Sequence, residues 1–237
     1  MTIKRFATII LAVVAVVMSG ALGGLLAFSY CAGLLPFNQA NPSDLAPMRV
    51  TEKQITTIQE NKALKDAAAK VFGAVINVKI ISASGAVIHG SGMVLSSDGL
   101  AAVPYGLFLP GAKAEIIASG KAAEFEVLKR DKASNLVILK LKNGNWPTAG
   151  FYQLENLKLG ERIFLAGTLS SGANFVNEGI VRDFTAEIIN TNINEAAEAL
   201  GAPAFDIEGN IIGIAAITKT GQVSIIPISK IKQASGL

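Results

Sequence analysis

AVINVKIISASGAVIHGSGMVLSSDGL, residues 74–100, decides how this chain is read. In its first run Ile76, Val78 and Ile80 fall on one side of an extended backbone, and Asn77 and Lys79 fall on the other. That two-residue period is the mark of a strand with one buried face. A Ser- and Gly-containing break follows, then a second apolar run, then Ser96-Ser97-Asp98-Gly99, residue types that close tight turns. The rhythm continues in AEIIA, AEFEVLK, NLVILKLK, RIFLAG, NFVNEGIV, NIIGIAAI and VSIIP, which predict an all-β domain of short strands. Near Asn145 the run NGNWP interrupts the pattern and divides the strands into two similar halves (73–145 and 146–237), so two packed barrels fit the count. Trp146, just before Pro147, reads as a packing anchor at that junction.

On the amino-terminal side, 51–72 reads as a helix. Thr51 and Gln54 have capping-box spacing, and Ile55, Ile58, Leu64, Ala68 and Val71 recur at roughly helical intervals. Residues 36–50 are rich in Pro, Asn, Ser and Gln and read as a linker. From Phe6 to Phe37 there is no charge, and 6–35 exceeds the roughly 20 apolar residues that cross a bilayer. A single-pass transmembrane signal anchor is expected. The competing cleaved secretory signal has an apolar region of only about 7–15 residues. Lys4 and Arg5 lie in a short tail, 1–5, which the positive-inside rule places in the cytoplasm with the rest outside. Cys31, the only cysteine, lies in the apolar segment, so no disulfide is expected in the folded domain. Tyr30 stands before it, where lipoprotein attachment sequences resemble one another in having a small residue, so a plain packed thiol is the preferred reading. Gly20 and Gly24 have the GxxxG spacing that lets two membrane helices approach, which leaves a homo-oligomer open.

Of the 237 residues 51% are hydrophobic and 16% charged, enough apolar content for a folded core. Lys and Arg number 21 against 18 Asp and Glu, and setting Lys4 and Arg5 aside leaves the remainder almost neutral. Such a surface is no nucleic-acid footprint. His89 is the only histidine, and with no cysteine beyond Cys31 a His- or thiolate-based zinc site is practically excluded. GLFLPGAK (Gly106–Lys113) lacks the Gly-Lys-Ser/Thr of a phosphate loop. No cofactor or metal is expected. Glu195 with Glu198, and Asp206 with Glu208, are spaced as paired carboxylates, but they read as solvated turn charges, the second pair at a Gly209-Asn210 hairpin turn.

Six motifs in order resemble the HtrA/Deg family of trypsin-like serine proteases, over about Ala63 to Ile231. ALKDAAAKVFGAVINVKI is similar to the helix and first strand of that family. Gly90-Ser91-Gly92 and Asp98-Gly99 match its GSG…DG hairpin, and Asp131 to Leu141 its aspartate segment. Leu159-Gly160-Glu161 to Gly167, Glu178 to Val181, and Gly201-Ala202-Pro203 with Ile212-Gly213-Ile214 are similar to the later strands. The resemblance implies a trypsin-like double barrel of six strands each, without the PDZ domain such proteins often carry.

In that family a histidine held by an aspartate activates a serine, and backbone N–H groups stabilise the oxyanion. Aligned on these motifs, the histidine falls on Gly106, the aspartate on Asn135 and the serine on Leu200. The glycine that supplies an oxyanion N–H falls on Glu198. No histidine follows His89 and no serine lies between Ser171 and Ser224, so sliding the register restores neither group. The expectation is a pseudoprotease in a bacterial cell envelope, a membrane-anchored module that binds a peptide or protein. Its cleft is expected beside Ile189, Asn190, Thr191, Asn192, Ile193 and Asn194, through strand addition. An active endopeptidase built on Ser170 or Ser171 with a lysine, and a purely structural envelope protein, are the alternatives.

Overall fold

The computed structural model describes residues 3–34, 62–108 and 111–237. The linker 36–50 and the first part of the expected helix, with Thr51, Gln54, Ile55 and Ile58, lie outside the described residues. The chain divides into two compact units, Met1–Lys53 and Gln54–Leu237.

The first unit contains α1, Ile3–Leu34, in which Ile10–Tyr30 is long and apolar enough to cross a membrane at a mean hydropathy of 2.4. Its polar side chains serve themselves. Ser19 Oγ donates to Val16 O and Ser29 Oγ to Leu26 O, each at 2.9 Å, as hydroxyls in an apolar helix must. Gly20 and Gly24 face open space.

The second unit begins with α2, residues 62–71, followed by a 3-10 turn at Phe72–Ala74. Seven strands follow: β1 (Val75–Ile81), β2 (Val87–Val94), β3 (Leu100–Pro104), β4 (Lys113–Ala118), β5 (Lys121–Ala123), β6 (Phe125–Asp131) and β7 (Leu136–Leu141). They form one antiparallel sheet in the order β5-β4-β1-β2-β3-β7-β6. The sheet has seven strands where six are implied, and Glu124 explains the difference. It alone separates β5 from β6, the two edges of the sheet, so one bent strand pairs with β4 before the bend and with β7 after it. The chain itself thereby joins the edges.

The second half is a closed six-stranded barrel. Its strands are β8 (Arg162–Thr168), β9 (Asn174–Phe184), β10 (Ile189–Asn194), β11 (Pro203–Asp206), β12 (Ile211–Ile217) and β13 (Gln222–Pro227). They run in the order β10-β13-β12-β11-β8-β9 around the barrel. Helix α3, Ile228–Ser235, follows and buries Ile228, Ile231 and Ala234.

Strand alternation puts a core in each half, around Ile76, Val103 and Leu139 in the first and Leu165, Ile189 and Ile225 in the second. A third apolar cluster joins the halves, where Val71 of α2, Met93, Ile138, Phe164, Phe205 and Ile231 of α3 meet. The Phe164 and Phe205 rings stack there at 5.4 Å. Trp146 packs on the first core, as its place at the junction implies. Gly99 shows why the Asp98-Gly99 turn is written so: its φ is +99°, and a Cβ would run into the carbonyl of Leu141.

Candidate functional site

The site expected from the motifs lies where the first sheet meets the barrel, and Ser91 organises it. Ser91 is fully buried on β2. Its N–H donates to Leu200 O at 2.8 Å, and its Oγ accepts the Thr168 N–H at 3.1 Å. One residue thus holds both the turn before β11 and the end of β8. Gly201, at φ +82°, packs so tightly here that a Cβ would collide with Ser91 O. Gly90 is closed in by Leu107 and by Leu200 O.

Of the three positions matched to the catalytic groups, Leu200 belongs to this network, and a separate backbone bond ties the turns that carry the other two. Gly106 sits in the 3-10 turn Tyr105–Leu107 after β3, exposed, with open space where a side chain would project. The N–H of its neighbour Tyr105 donates to Asn135 O at 2.9 Å. Asn135 has φ 56°, a left-handed conformation that Asn tolerates better than most residues. Leu200 follows another 3-10 turn, Ala197–Ala199, and its side chain leans on the first core. Its N–H donates to Ala197 O at 3.1 Å, so that backbone donor is engaged within its own turn. Gly106, Asn135 and Leu200 carry no base, carboxylate or nucleophile.

The surrounding carboxylates are fastened to backbone. Glu198 accepts the Ser170 N–H at 2.9 Å. The Ser170 N–H, then the Ser170 hydroxyl, hold its carboxyl below the usual range, with the charge of His89 adding and burial opposing. His89 lies on β2 opposite Lys79 of β1, with its Nδ1 buried and unpartnered among the described residues. Glu195 instead accepts from Asn177 Nδ2 at 2.7 Å, so the two acids face different elements. Asp131 accepts the N–H groups of Ala133 and Ser134, both at 3.1 Å, and the Ser134 hydroxyl, then the Ser134 N–H, lower its carboxyl; it shapes the turn that presents Asn135. Ser171 Oγ accepts the Ala173 N–H at 3.3 Å, and among the described residues neither Ser170 nor Ser171 bonds to a lysine. No group of three or more His, Cys, Asp and Glu among the described residues is arranged to hold a metal ion.

Two expectations are corrected. Asp206 is not a solvated turn charge: it is 6% exposed and takes the N–H groups of Glu208 and Asn210 and the amide of Asn210, at 2.8–2.9 Å. The cleft expected along Ile189–Asn194 is not an open edge either, because β10 lies between β9 and β13. Ile189, Thr191 and Ile193 point into the barrel. Where the ladder falters, side chains take the backbone groups. Gln222 Nε2 donates to Thr191 O and Ile193 O at 2.7 and 3.1 Å, and Thr191 Oγ1 accepts the Ile193 N–H. Asn190 donates to Asp183, Asn192 Oδ1 accepts the Ile180 N–H, and Asn177 reaches Asn194 O. With both neighbours in place, β10 has no continuous open edge for strand addition. Sequence reading misses Ser91 as the organiser of the site, although its place between Gly90 and Gly92 was the signal.

Comparison with known proteins bears on this arrangement. The chain is 31% identical over 161 residues to "Anti-sigma-I factor RsgI9" of Acetivibrio thermocellus, covering 64% of this chain and 22% of that protein. It is 28% identical over 136 residues to "Probable periplasmic serine endoprotease DegP-like" of Halomonas elongata, covering 53% of this chain and 28% of that protein. The chain therefore spans less than a third of the length of either relative. Residues 83–214, from the turn before β2 into β12, match the family model described as a trypsin-like peptidase domain, and the chain belongs to that family.

Proposed function

We propose that this chain is a membrane-anchored trypsin-like domain without peptidase activity, acting as a peptide- or protein-binding regulatory module in a bacterial cell envelope. The observation that carries the proposal is Leu200. Its side chain offers no nucleophile where the family has one, and its N–H is bonded to Ala197 O. Gly106 and Asn135 leave the same centre without base or orienting carboxylate. The candidate span in α1 supports the anchoring, with Lys4 and Arg5 on the cytoplasmic side and the β domain outside. A relative named as an anti-sigma factor supports a regulatory role, and a relative named as a periplasmic endoprotease supports the envelope location.

One arrangement favours the alternative of unusual catalysis: the Ser170 hydroxyl beside Glu198, with the charge of His89 acting on that carboxylate. A carboxylate held below its ordinary range is a poor acceptor for a hydroxyl proton, however, and a general base works best with a pKa near the working pH. The test is exposure of the purified full chain to a fluorophosphonate probe. No covalent label is expected; labelling that a Ser170→Ala change abolishes overturns the proposal.

A further inference from the structure

Two cavities adjoin along α3, and neither is lined by Gly106, Asn135 or Leu200. One, about 660 Å³, is lined by Phe151, Tyr152, Gln153, Ile228 and Lys232 among others. The other, about 250 Å³, is lined chiefly by Leu157, Phe184, Ile189 and Pro227. Leu154, Glu155 and Ser229 line both, so the two read as chambers of one groove. The smaller chamber is mainly apolar, and Phe184 at its rim is 39% exposed. Apolar side chains gathered in a concave site with few polar groups are the usual makings of a recognition pocket.

The charges around the groove choose among occupants. Lys232 places its ammonium 5.4 Å from the centroid of the Phe151 ring, and among the described residues no carboxylate pairs with it. A cation resting on an aromatic face beside an apolar chamber is poised to take an anionic partner group. A carboxylate bounds the groove away from Lys232 as well, since Glu155 lines both chambers. Glu155 repels a second negative charge, and among the described lining residues Lys232 is the cation that admits a partner's carboxylate.

We infer that this groove docks a segment of another protein that seats one aliphatic or aromatic side chain in the smaller chamber and sets a carboxylate against Lys232. The inference deepens the reading of the domain as a binding module by naming a surface and the chemistry of the partner. It shares no residue with the Leu200 centre and does not require that centre to be inactive.

The experiment selects a displayed random-peptide library on the full chain in detergent micelles, then measures the enriched peptides by fluorescence anisotropy. Enriched sequences are expected to combine an apolar residue with Asp or Glu. Lys232→Glu is expected to weaken them at least tenfold, Lys232→Arg to preserve binding, and Ser229→Trp, at the shared wall, to abolish it. Hydroxyl-radical footprinting of the unaltered chain, which depends on no variant folding, is expected to show protection of Tyr152 and Phe184. Peptides that bind but ignore Lys232 and Ser229, or that leave Tyr152 and Phe184 unprotected, overturn the groove while leaving the binding-module reading in place. A selection that enriches nothing overturns the groove and counts against that reading as well. The fluorophosphonate result is unaffected by either outcome.

Discussion

On the reading proposed above, placing His, Asp and Ser at positions 106, 135 and 200 should not by itself produce a peptidase. In the variant Gly106→His/Asn135→Asp/Leu200→Ser, the histidine enters open space and the aspartate inherits a left-handed backbone that Asp tolerates. The obstacle is the backbone of 197–200. To face an oxyanion, the N–H of residue 200 must leave Ala197 O, a turn hydrogen bond worth about 1 kcal/mol. The bond from Ser170 N–H to Glu198 fastens the same turn, and for a half-exposed carboxylate it is also worth about 1 kcal/mol. Together they set a barrier of about 2 kcal/mol, or roughly 30-fold in rate at 1.36 kcal/mol per decade. Loss of one oxyanion donor in a working enzyme costs a comparable or larger factor, about 10²–10³. The assay is the second-order rate of fluorophosphonate labelling, with circular dichroism confirming the fold. Adding Glu198→Gly to the triple variant removes the second of these bonds, about 1 kcal/mol, and replaces the carboxylate with the residue type the family has there, so labelling should accelerate about fivefold. A triple variant that labels as fast as the quadruple refutes the view that the 197–200 turn is closed to this chemistry.

Three further outcomes follow from the same geometry. Ser91→Ala strips the acceptor from Thr168 N–H at a buried position, so it should destabilise the domain by about 1–2 kcal/mol and lower its melting temperature by about 2–8 °C in calorimetry. Asp206→Ala leaves the donors of Glu208 and Asn210 without their buried carboxylate and should cost about 2–4 kcal/mol in denaturant unfolding, more than the surface change Glu208→Ala. Hydrogen bonds from Lys140, then Ser96, hold the Asp98 carboxyl down to about 2. A carboxyl lowered on folding contributes stability that is whole above the unfolded value, about 3.9, and is lost as pH falls through the folded one, so the ion pair weakens between about pH 4 and 2. Carboxyl NMR should find the midpoint near 2, rising toward 3.8 in Lys140→Met.

The fold is legible in this sequence because burial writes itself locally. Ile76, Val78 and Ile80 are all buried, as their spacing requires, and Asp98-Gly99 turns where Gly99 must take φ +99°. The strand count of the first sheet is less legible, since nothing in KAAEFEVLK announces that Glu124 bends one strand into two partners. The cleft along β10 is misread for a related reason. Alternating Ile, Thr and Asn residues declare a strand with one buried face, but not which strands flank it. That depends on β9, on β13 and on Gln222, far away in sequence. Asp206 is misread because a turn acid looks solvated until its three hydrogen bonds and its burial are seen together.

The glycine and serine motifs around Gly106, Asn135 and Leu200 have a physical reason to be where they are. Gly90, Ser91 and Gly201 sit at the seam between the two halves, where backbone passes too close for a Cβ and where Ser91 serves Leu200 and Thr168 at once. Changing any of them strains packing that reaches both barrels. Gly106 and Asn135 lie on exposed turns, and Leu200 is only half-buried, so their side chains are freer to vary while the seam stays intact. A motif match weighted toward the seam therefore identifies the fold and passes over the chemistry. The same asymmetry predicts where change in this family is tolerated: at the tips of the turns that carry the reactive groups, before the residues that hold those turns together.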